Sequence, residues 1–108
     1  LYEIKGDKMP IAHYVRMNPF KTHKIQLQKS DRFYLFSDGY ADQFGGERGT
    51  KFKYKPFKRL LLNTANEDIQ KQGLILEQTF MEWIDFKDPF TGKMYEQIDD
   101  ITILGIEI

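Results

Sequence analysis

Two short acidic motifs contain the residues of this sequence best suited to chemistry. The first is Ser-Asp-Gly-Tyr-Ala-Asp at 37–42, where Asp38 follows an apolar run and Gly39 leaves space for a ligand or an ion beside it. The second is Asp-Asp-Ile-Thr at 99–102, immediately before another apolar run. If the two runs are neighbouring strands, Asp38 and Asp99 converge although about 60 residues separate them.

Converging carboxylates at strand ends suit a hard divalent cation such as Mg²⁺ or Mn²⁺, which prefers oxygen ligands. The chain has no cysteine and only two histidines, so a zinc site of the usual kind is not expected. Each motif alone also has a plainer explanation. Asp-Gly is a common turn dipeptide, and two acids before a strand can block unwanted pairing. The occurrence of both motifs together favours the metal site.

The elements that must position these acids are predicted from the apolar patterns. Residues 32–37 and 101–108 are apolar in both alternating phases, which is typical of strands that are covered on both faces. Residues 24–28 alternate strictly and predict a half-buried strand. Shorter patterns predict two further strands, at 1–5 and 11–16.

Helical signals occupy the middle of the chain. Glycines at 45, 46 and 49 predict a flexible loop, and Pro56 suits the first turn of a short helix that ends near Leu62. Thr64 and Glu67 have the spacing of a capping box, which predicts the start of a long helix. One apolar stripe of that helix consists of Ile69, Gly73, Leu76, Phe80 and Trp83.

The order of the elements, several strands, two helices and a closing strand, is not a βαβ alternation. It predicts an α+β fold with a mostly antiparallel sheet and both helices on one face. The 108 residues are interpreted as a single partial domain, cut from a longer protein, because the chain begins without Met inside a strand pattern. Strands that are apolar on both faces require a second sheet, and we expect the open face to bury itself against a second copy of the chain.

Composition excludes several other functions. Sixteen basic and sixteen acidic residues give a formal net charge of zero, so a general nucleic-acid binder is not expected. A local basic cluster at 51–59 is either a solvated surface or a docking site for an acidic partner. No apolar run reaches the roughly 20 residues of a membrane span, and no signal peptide is recognisable. The absence of cysteine suits the cytoplasm, and we expect no membrane contact by this segment.

Three stretches together resemble a known family. They are Phe-Ser-Asp-Gly-Tyr-Ala-Asp-Gln-Phe-Gly-Gly at 36–46, Lys-Gly-Asp-Lys-Met-Pro-Ile at 5–11 and the closing Asp-Asp-Ile-Thr at 99–102. In this order and spacing they are similar to the C-terminal half of the PPM-type (PP2C-like) protein serine/threonine phosphatases of the SpoIIE/RsbU branch. The resemblance covers essentially the whole chain.

The resemblance implies part of an αββα sandwich with a binuclear Mn²⁺ or Mg²⁺ centre, which hydrolyses phosphoserine or phosphothreonine with a metal-activated water. It implies that Asp38 and Asp99 are metal ligands and catalytic residues. Gly39 then contributes backbone at the metal site, Asp42 has an accessory metal role, and Asp100 orients the turn.

The resemblance also has gaps. No segment of these 108 residues matches the Asp and the Gly-His-Gly-type stretch of the family's first half, and Ala12 replaces a usual glycine. We therefore expect the chain alone to be inactive, and a non-catalytic PP2C-like interaction or regulatory module remains an alternative. The partners implied are a phosphoprotein substrate, an anti-sigma-factor antagonist of the STAS type, and an upstream sensor domain in a bacterial signalling protein.

Overall fold

A computed structural model of the chain describes residues 3–4 and 21–108. The strands predicted at 11–16 and, apart from Glu3 and Ile4, at 1–5 lie outside the described residues. The elements, in chain order, are β1 Arg32–Phe36, α1 Gly39–Asp42, β2 Phe44–Gly45, β3 Thr50–Lys51, α2 Tyr54–Thr64, α3 Ile69–Ile84 and β4 Ile103–Glu107.

The main sheet of the described residues pairs β1 with β4. The two strands are antiparallel, with a register that runs from Arg32 opposite Glu107 to Phe36 opposite Ile103. Helices α2 and α3 pack on one face of this sheet. The predicted α+β class, with antiparallel pairing and helices on one face, is therefore confirmed.

An aromatic core fills the space between the sheet and the helices. The ring of Phe36 meets the ring of Phe57 edge-on, with centroids 4.9 Å apart, and the ring of Tyr40 lies 5.4 Å from that of Phe80. Edge-on and tilted ring pairs of this kind stabilise a core beyond their buried area. The five buried members of the core are Tyr40, Phe57, Leu61, Leu76 and Phe80.

The opposite face of the sheet is open in the described part of the chain. Leu35 and Leu104 lie directly opposite each other on it and are 60% and 49% exposed. The apolar patterns require a layer on each face of both strands, but the helices cover one face and no second sheet of the described residues covers the other. An open apolar face is what the sequence predicts for a chain that lacks part of its sandwich.

The prediction of a strand at 24–28 is wrong, because this stretch is irregular and Ile25 is 53% exposed. Alternation creates a strand only where a neighbour satisfies its backbone, and among the described residues β1 and β4 pair only with each other. The stretch instead ends in a turn, in which the N–H of Asp31 donates to the carbonyl oxygen of Gln28 at 3.0 Å.

The helices are largely as predicted, but the predicted capping box is wrong. Thr64 is the last residue of α2, and its hydroxyl donates to the Leu60 carbonyl oxygen at 2.7 Å. The true cap of α3 is Asp68, whose carboxylate accepts from the N–H of Gln70. The Thr-to-Glu spacing was misleading because α2 continues two residues beyond its predicted end.

The glycine-rich stretch after α1 is a packed hairpin and not the predicted flexible loop. Strands β2 and β3 pair through Phe44 opposite Lys51 and Gly45 opposite Thr50. The N–H of Gly46 donates to the Trp83 carbonyl oxygen at 2.8 Å, which attaches the hairpin to α3. In the described part of the chain, no helix has the length and apolarity needed to cross a membrane.

Candidate metal centre at the strand ends

The antiparallel pairing brings the two acidic motifs together. Asp38 follows the end of β1, and Asp99 precedes the start of β4, at the same end of the sheet. The N–H of Ser37 donates to the carbonyl oxygen of Thr102 at 2.9 Å, which extends the strand pairing into both motifs. The predicted side-by-side arrangement of the strands that carry these acids is confirmed at the backbone level.

Two small residues hold the motifs in contact. The Ser37 hydroxyl donates to the Asp100 carbonyl oxygen at 3.2 Å and accepts from the Thr102 N–H at 3.0 Å. A methyl group at Gly39 would overlap that same Asp100 carbonyl oxygen. The space beside Gly39 is therefore filled by the backbone of the second motif, whereas the sequence suggested space for a ligand.

The two predicted ligands both expose their side chains. Asp38 is the N-cap residue of α1, but its carboxylate accepts no hydrogen bond from the N–H groups of that helix, all of which are described. One carboxylate oxygen of Asp99, Oδ1, accepts from the N–H of Asp100 at 2.8 Å. The carboxylate of Asp38 is thus not occupied by helix capping, and one oxygen of Asp99 has a backbone donor.

Asp42 has a competing partner. Its carboxylate lies 3.7 Å from the Lys51 ammonium group in a solvent-exposed ion pair, an interaction that contributes at most about 1 kcal/mol. A second lysine of the basic cluster, Lys58, pairs with Glu3. The basic cluster therefore borders the acidic motif, and two of its members neutralise nearby carboxylates.

Tyr54, at the start of α2, is a neighbour of the acids that the sequence did not reveal. Partial burial raises the pKa of its hydroxyl, and the carboxylates of Asp38, Asp42 and Glu3 raise that pKa further. Tyr54 therefore belongs to the electrostatic surroundings of the first acidic motif.

Gln43, which directly follows the first motif, is a second such residue, and its side chain, only 1% exposed, binds the segment that leads into the second motif. Its Nε2 donates to the carbonyl oxygens of Glu96 at 2.8 Å and Phe44 at 3.0 Å, and its Oε1 accepts from the N–H of Ile98 at 3.4 Å. Nothing in the sequence distinguishes this glutamine from a surface residue, since its role depends on a loop more than 50 positions away.

The donor set fits a hard cation but is small. Carboxylate oxygens are the ligands that Mg²⁺ and Mn²⁺ prefer, and Mg²⁺ is commonly held by one or two carboxylates while it keeps several waters. Among the residues that the structure describes, no group of three or more acidic or histidine side chains could hold a metal ion. Asp38 and Asp99 could therefore supply part of a coordination sphere.

The comparisons with known proteins give a match among the solved structures. No protein-family model and no curated protein matches the chain. A solved structure, the SiaA-PP2C domain of Pseudomonas aeruginosa, is 32% identical, aligns with 71% of this chain and has a TM-score of 0.58. The chain has a PP2C-like fold. It covers 28% of the length of that domain structure, so it corresponds to only part of it.

The match confirms the PP2C-like part of the resemblance and leaves its finer parts as predictions. In this PP2C-like chain the acidic motifs lie at the end of the sheet where β1 stops and β4 starts. The SpoIIE/RsbU branch, the metal ions and the roles of Asp38, Asp99 and Asp42 remain predictions.

Proposed function

We propose that this PP2C-like chain forms part of the active site of a metal-dependent protein serine/threonine phosphatase. Asp38 and Asp99 are the metal ligands that the chain contributes, with Mn²⁺ or Mg²⁺ as the metal. The observation that carries the proposal is the contact between the two acidic motifs at one end of the β1–β4 pair, made through Ser37 and Gly39. The likeness to the SiaA-PP2C domain supports the phosphatase assignment.

The described residues have defined tasks in this function. Ser37 and Gly39 keep the backbones of the two motifs in contact, while the solvent-facing carboxylates of Asp38 and Asp99 bind cations and hold them for a phosphoryl group. Asp42 is an accessory ligand that must give up its ion pair with Lys51. When bound, the metal ions supply an activated water and neutralise charge on the phosphoryl group.

The substrate class follows from the resemblance to the SpoIIE/RsbU branch. We propose a phosphorylated anti-sigma-factor antagonist of the STAS type as substrate, an upstream sensor domain as regulator, and the bacterial cytoplasm as the location. The basic cluster around Lys51 supports a negatively charged partner, because it borders the acidic motif at which a phosphoryl group would bind.

The test is Asp38→Asn in the intact polypeptide that carries this chain. We expect Mn²⁺-dependent release of phosphate from a phosphoserine protein to be lost, because an amide is a neutral and weaker ligand for a hard cation. Phosphate release is measured with and without added Mn²⁺. Asp99→Asn should give the same loss.

A matched control is Asp68→Asn at the N-cap of α3. Asn caps a helix about as well as Asp does, so this change removes a carboxylate of the same type without disturbing the fold. It should leave phosphate release unchanged. Turnover by Asp38→Asn at the rate of Asp68→Asn would remove Asp38 from the mechanism.

A non-catalytic PP2C-like interaction or regulatory module is the second candidate function. It is favoured by the lack, among the described residues, of any acidic or histidine group large enough to hold a metal ion alone. The two candidates differ in a direct measurement. An intact polypeptide that binds no Mn²⁺ and releases no phosphate, but still binds its partner protein, would support the module.

A further inference from the structure

The segment that carries Asp99 is not held in place by burial. Residues 96–100 are all exposed, and Ile98 exposes 63% of its surface. These residues also belong to no helix or strand of the described chain. Apolar packing therefore contributes little to their position, and hydrogen bonds to better-buried groups must determine it.

Gln43 supplies those hydrogen bonds before Asp99. The side-chain carboxamide donates to the Glu96 carbonyl oxygen and accepts from the Ile98 N–H, so it binds the two residues that flank Gln97. In a parallel β-pair, one residue of the neighbouring strand binds the two flanking residues in the same way, through its own N–H and C=O. The side chain thus substitutes for a strand that the segment lacks among the described residues.

Gln43 is itself firmly attached to the other motif. It is the C-cap residue of α1, the four-residue helix that begins immediately after Asp38. Its carbonyl oxygen accepts from the N–H of Phe52 at 3.0 Å and from the indole N–H of Trp83 at 2.9 Å. Because the residue is buried and bonded on both sides, the carboxamide has little freedom to move.

A second attachment lies on the other side of Asp99. Ser37 binds Asp100 and Thr102, whereas Gln43 binds Glu96 and Ile98. Asp99 is therefore bracketed by two side chains, and both come from the short stretch that includes Asp38.

We propose that Gln43 is a positioning residue for the metal centre, whose carboxamide sets the place of Asp99 relative to Asp38. The inference rests on the proposed function, because it assigns Gln43 a task in metal binding. In this role Gln43 is not a ligand: its carboxamide is bonded to backbone groups and acts on Asp99 through the backbone of residues 96–98.

Gln72 provides a natural comparison, because it is a second buried glutamine, 2% exposed. Its Oε1 accepts from Arg32 and Tyr34, and its Nε2 donates to Thr64 and to the Leu61 carbonyl oxygen. These bonds connect β1, α2 and α3, and none of them reaches the acidic motifs. Replacing either glutamine leaves buried groups unpaired, but only Gln43 should affect the metal centre.

The experiment compares Gln43→Leu with Gln72→Leu in the intact polypeptide that carries this chain. Both variants should lower the melting temperature, because each loses a comparable set of buried hydrogen bonds. Amide hydrogen exchange at Ile98 should accelerate about tenfold or more in Gln43→Leu and should stay unchanged in Gln72→Leu. This first readout requires neither metal nor activity.

Mn²⁺ titration supplies the second readout. Loss of a group that orients a ligand typically weakens metal binding by about 10–100-fold, so Gln43→Leu should bind Mn²⁺ at least about tenfold more weakly than Gln72→Leu. Paramagnetic broadening of amide signals should then persist near Asp38 and fade near Asp99. Saturating Mn²⁺ should restore most of the turnover, because the ligands themselves remain.

The outcomes separate this inference from the proposed function. Equal Mn²⁺ affinities in the two leucine variants, whether or not exchange at Ile98 accelerates, would overturn the role of Gln43 and leave the phosphatase proposal intact. Wild-type protein that does not bind Mn²⁺, or binds it equally well as Asp38→Asn, would overturn the proposed function. That result would also overturn the positioning role, even if the exchange at Ile98 accelerated.

Discussion

The two faces of the β1–β4 sheet are built from the same strands but have opposite surroundings. On one face, Phe36 packs against the buried ring of Phe57, a residue of α2. On the other, Leu35 and Leu104 are directly paired and remain about half exposed or more. Both faces are apolar, so apolarity alone does not distinguish a covered face from an open one.

The difference shows what can be predicted from a strand whose residues are apolar in both alternating phases. A strand that is apolar in both phases is suited to burial on both faces in the final assembly. The described chain satisfies that requirement on the helix side only. The open face of the described residues is therefore suited to contact with further protein surface.

The largest difference between the two sides of the sheet is expected in the free energy of unfolding when one leucine on each side is replaced by alanine. Leu61 is 2% exposed in the helix layer, so Leu61→Ala should reduce the free energy of unfolding by about 2–5 kcal/mol. Leu35 is 60% exposed, and Leu35→Ala, measured at a concentration low enough to keep the chain monomeric, should cost less than about 1 kcal/mol. Denaturant titration monitored by circular dichroism measures both. Similar losses in the monomer would mean that another part of the same polypeptide covers the open face.

A smaller effect is expected when charge is placed on the open face. We expect the isolated chain to self-associate through this face, and Leu35→Lys combined with Leu104→Glu should weaken association at least about tenfold, or about 1.4 kcal/mol. The two new charges face each other across the strands and support the β1–β4 pairing. Sedimentation velocity measures the change, and a wild-type chain that stays monomeric at all concentrations would exclude the homodimer.

The smallest effect concerns the helix layer away from both faces. Gly73 lies within α3, and a methyl group added there would meet no other atom within 4 Å. Gly73→Ala should therefore stabilise the chain by about 0.5–1 kcal/mol, because Ala has the higher helix propensity. The midpoint of denaturant unfolding measures this gain.

Gly46→Ala serves as the opposite control for that substitution. Gly46 has a φ of +71°, and an added methyl group would lie 2.6 Å from the Trp83 ring. This variant should be destabilised. A gain in both variants would indicate that the measurement reflects the unfolded chain and not the two local environments.

The features predicted correctly from the sequence are those that local patterns encode. The apolar stripe of α3 and the proline in the first turn of α2 depend on neighbours within a few positions, and both helices are present. The strands β1 and β4 were recognisable because their apolar runs are long and adjoin acidic motifs, which follow β1 and precede β4.

The features missed from the sequence depend on distant partners. Residues 24–28 alternate as a strand does, but no described strand lies alongside to bond them. Thr64 has the spacing of an N-cap, but its side chain belongs to the end of α2. Asp38 and Asp99 could be named from their motifs, whereas Gln43 could not, because its carboxamide acts only once the loop before β4 has folded against it.

The loop between α3 and β4 consists of a stem and a tip with different attachments. The stem is the part that leads into β4, and the carboxamide of Gln43 binds it at Glu96 and Ile98. The tip lies between Lys87 and Met94, which form an isolated β-bridge, and its Phe90 is 90% exposed. Exposed loop tips tolerate changes in length and composition, so we expect such changes near Phe90 to leave Asp99 in place. A fluorescent label placed on the tip should therefore leave the contact between the two acidic motifs undisturbed.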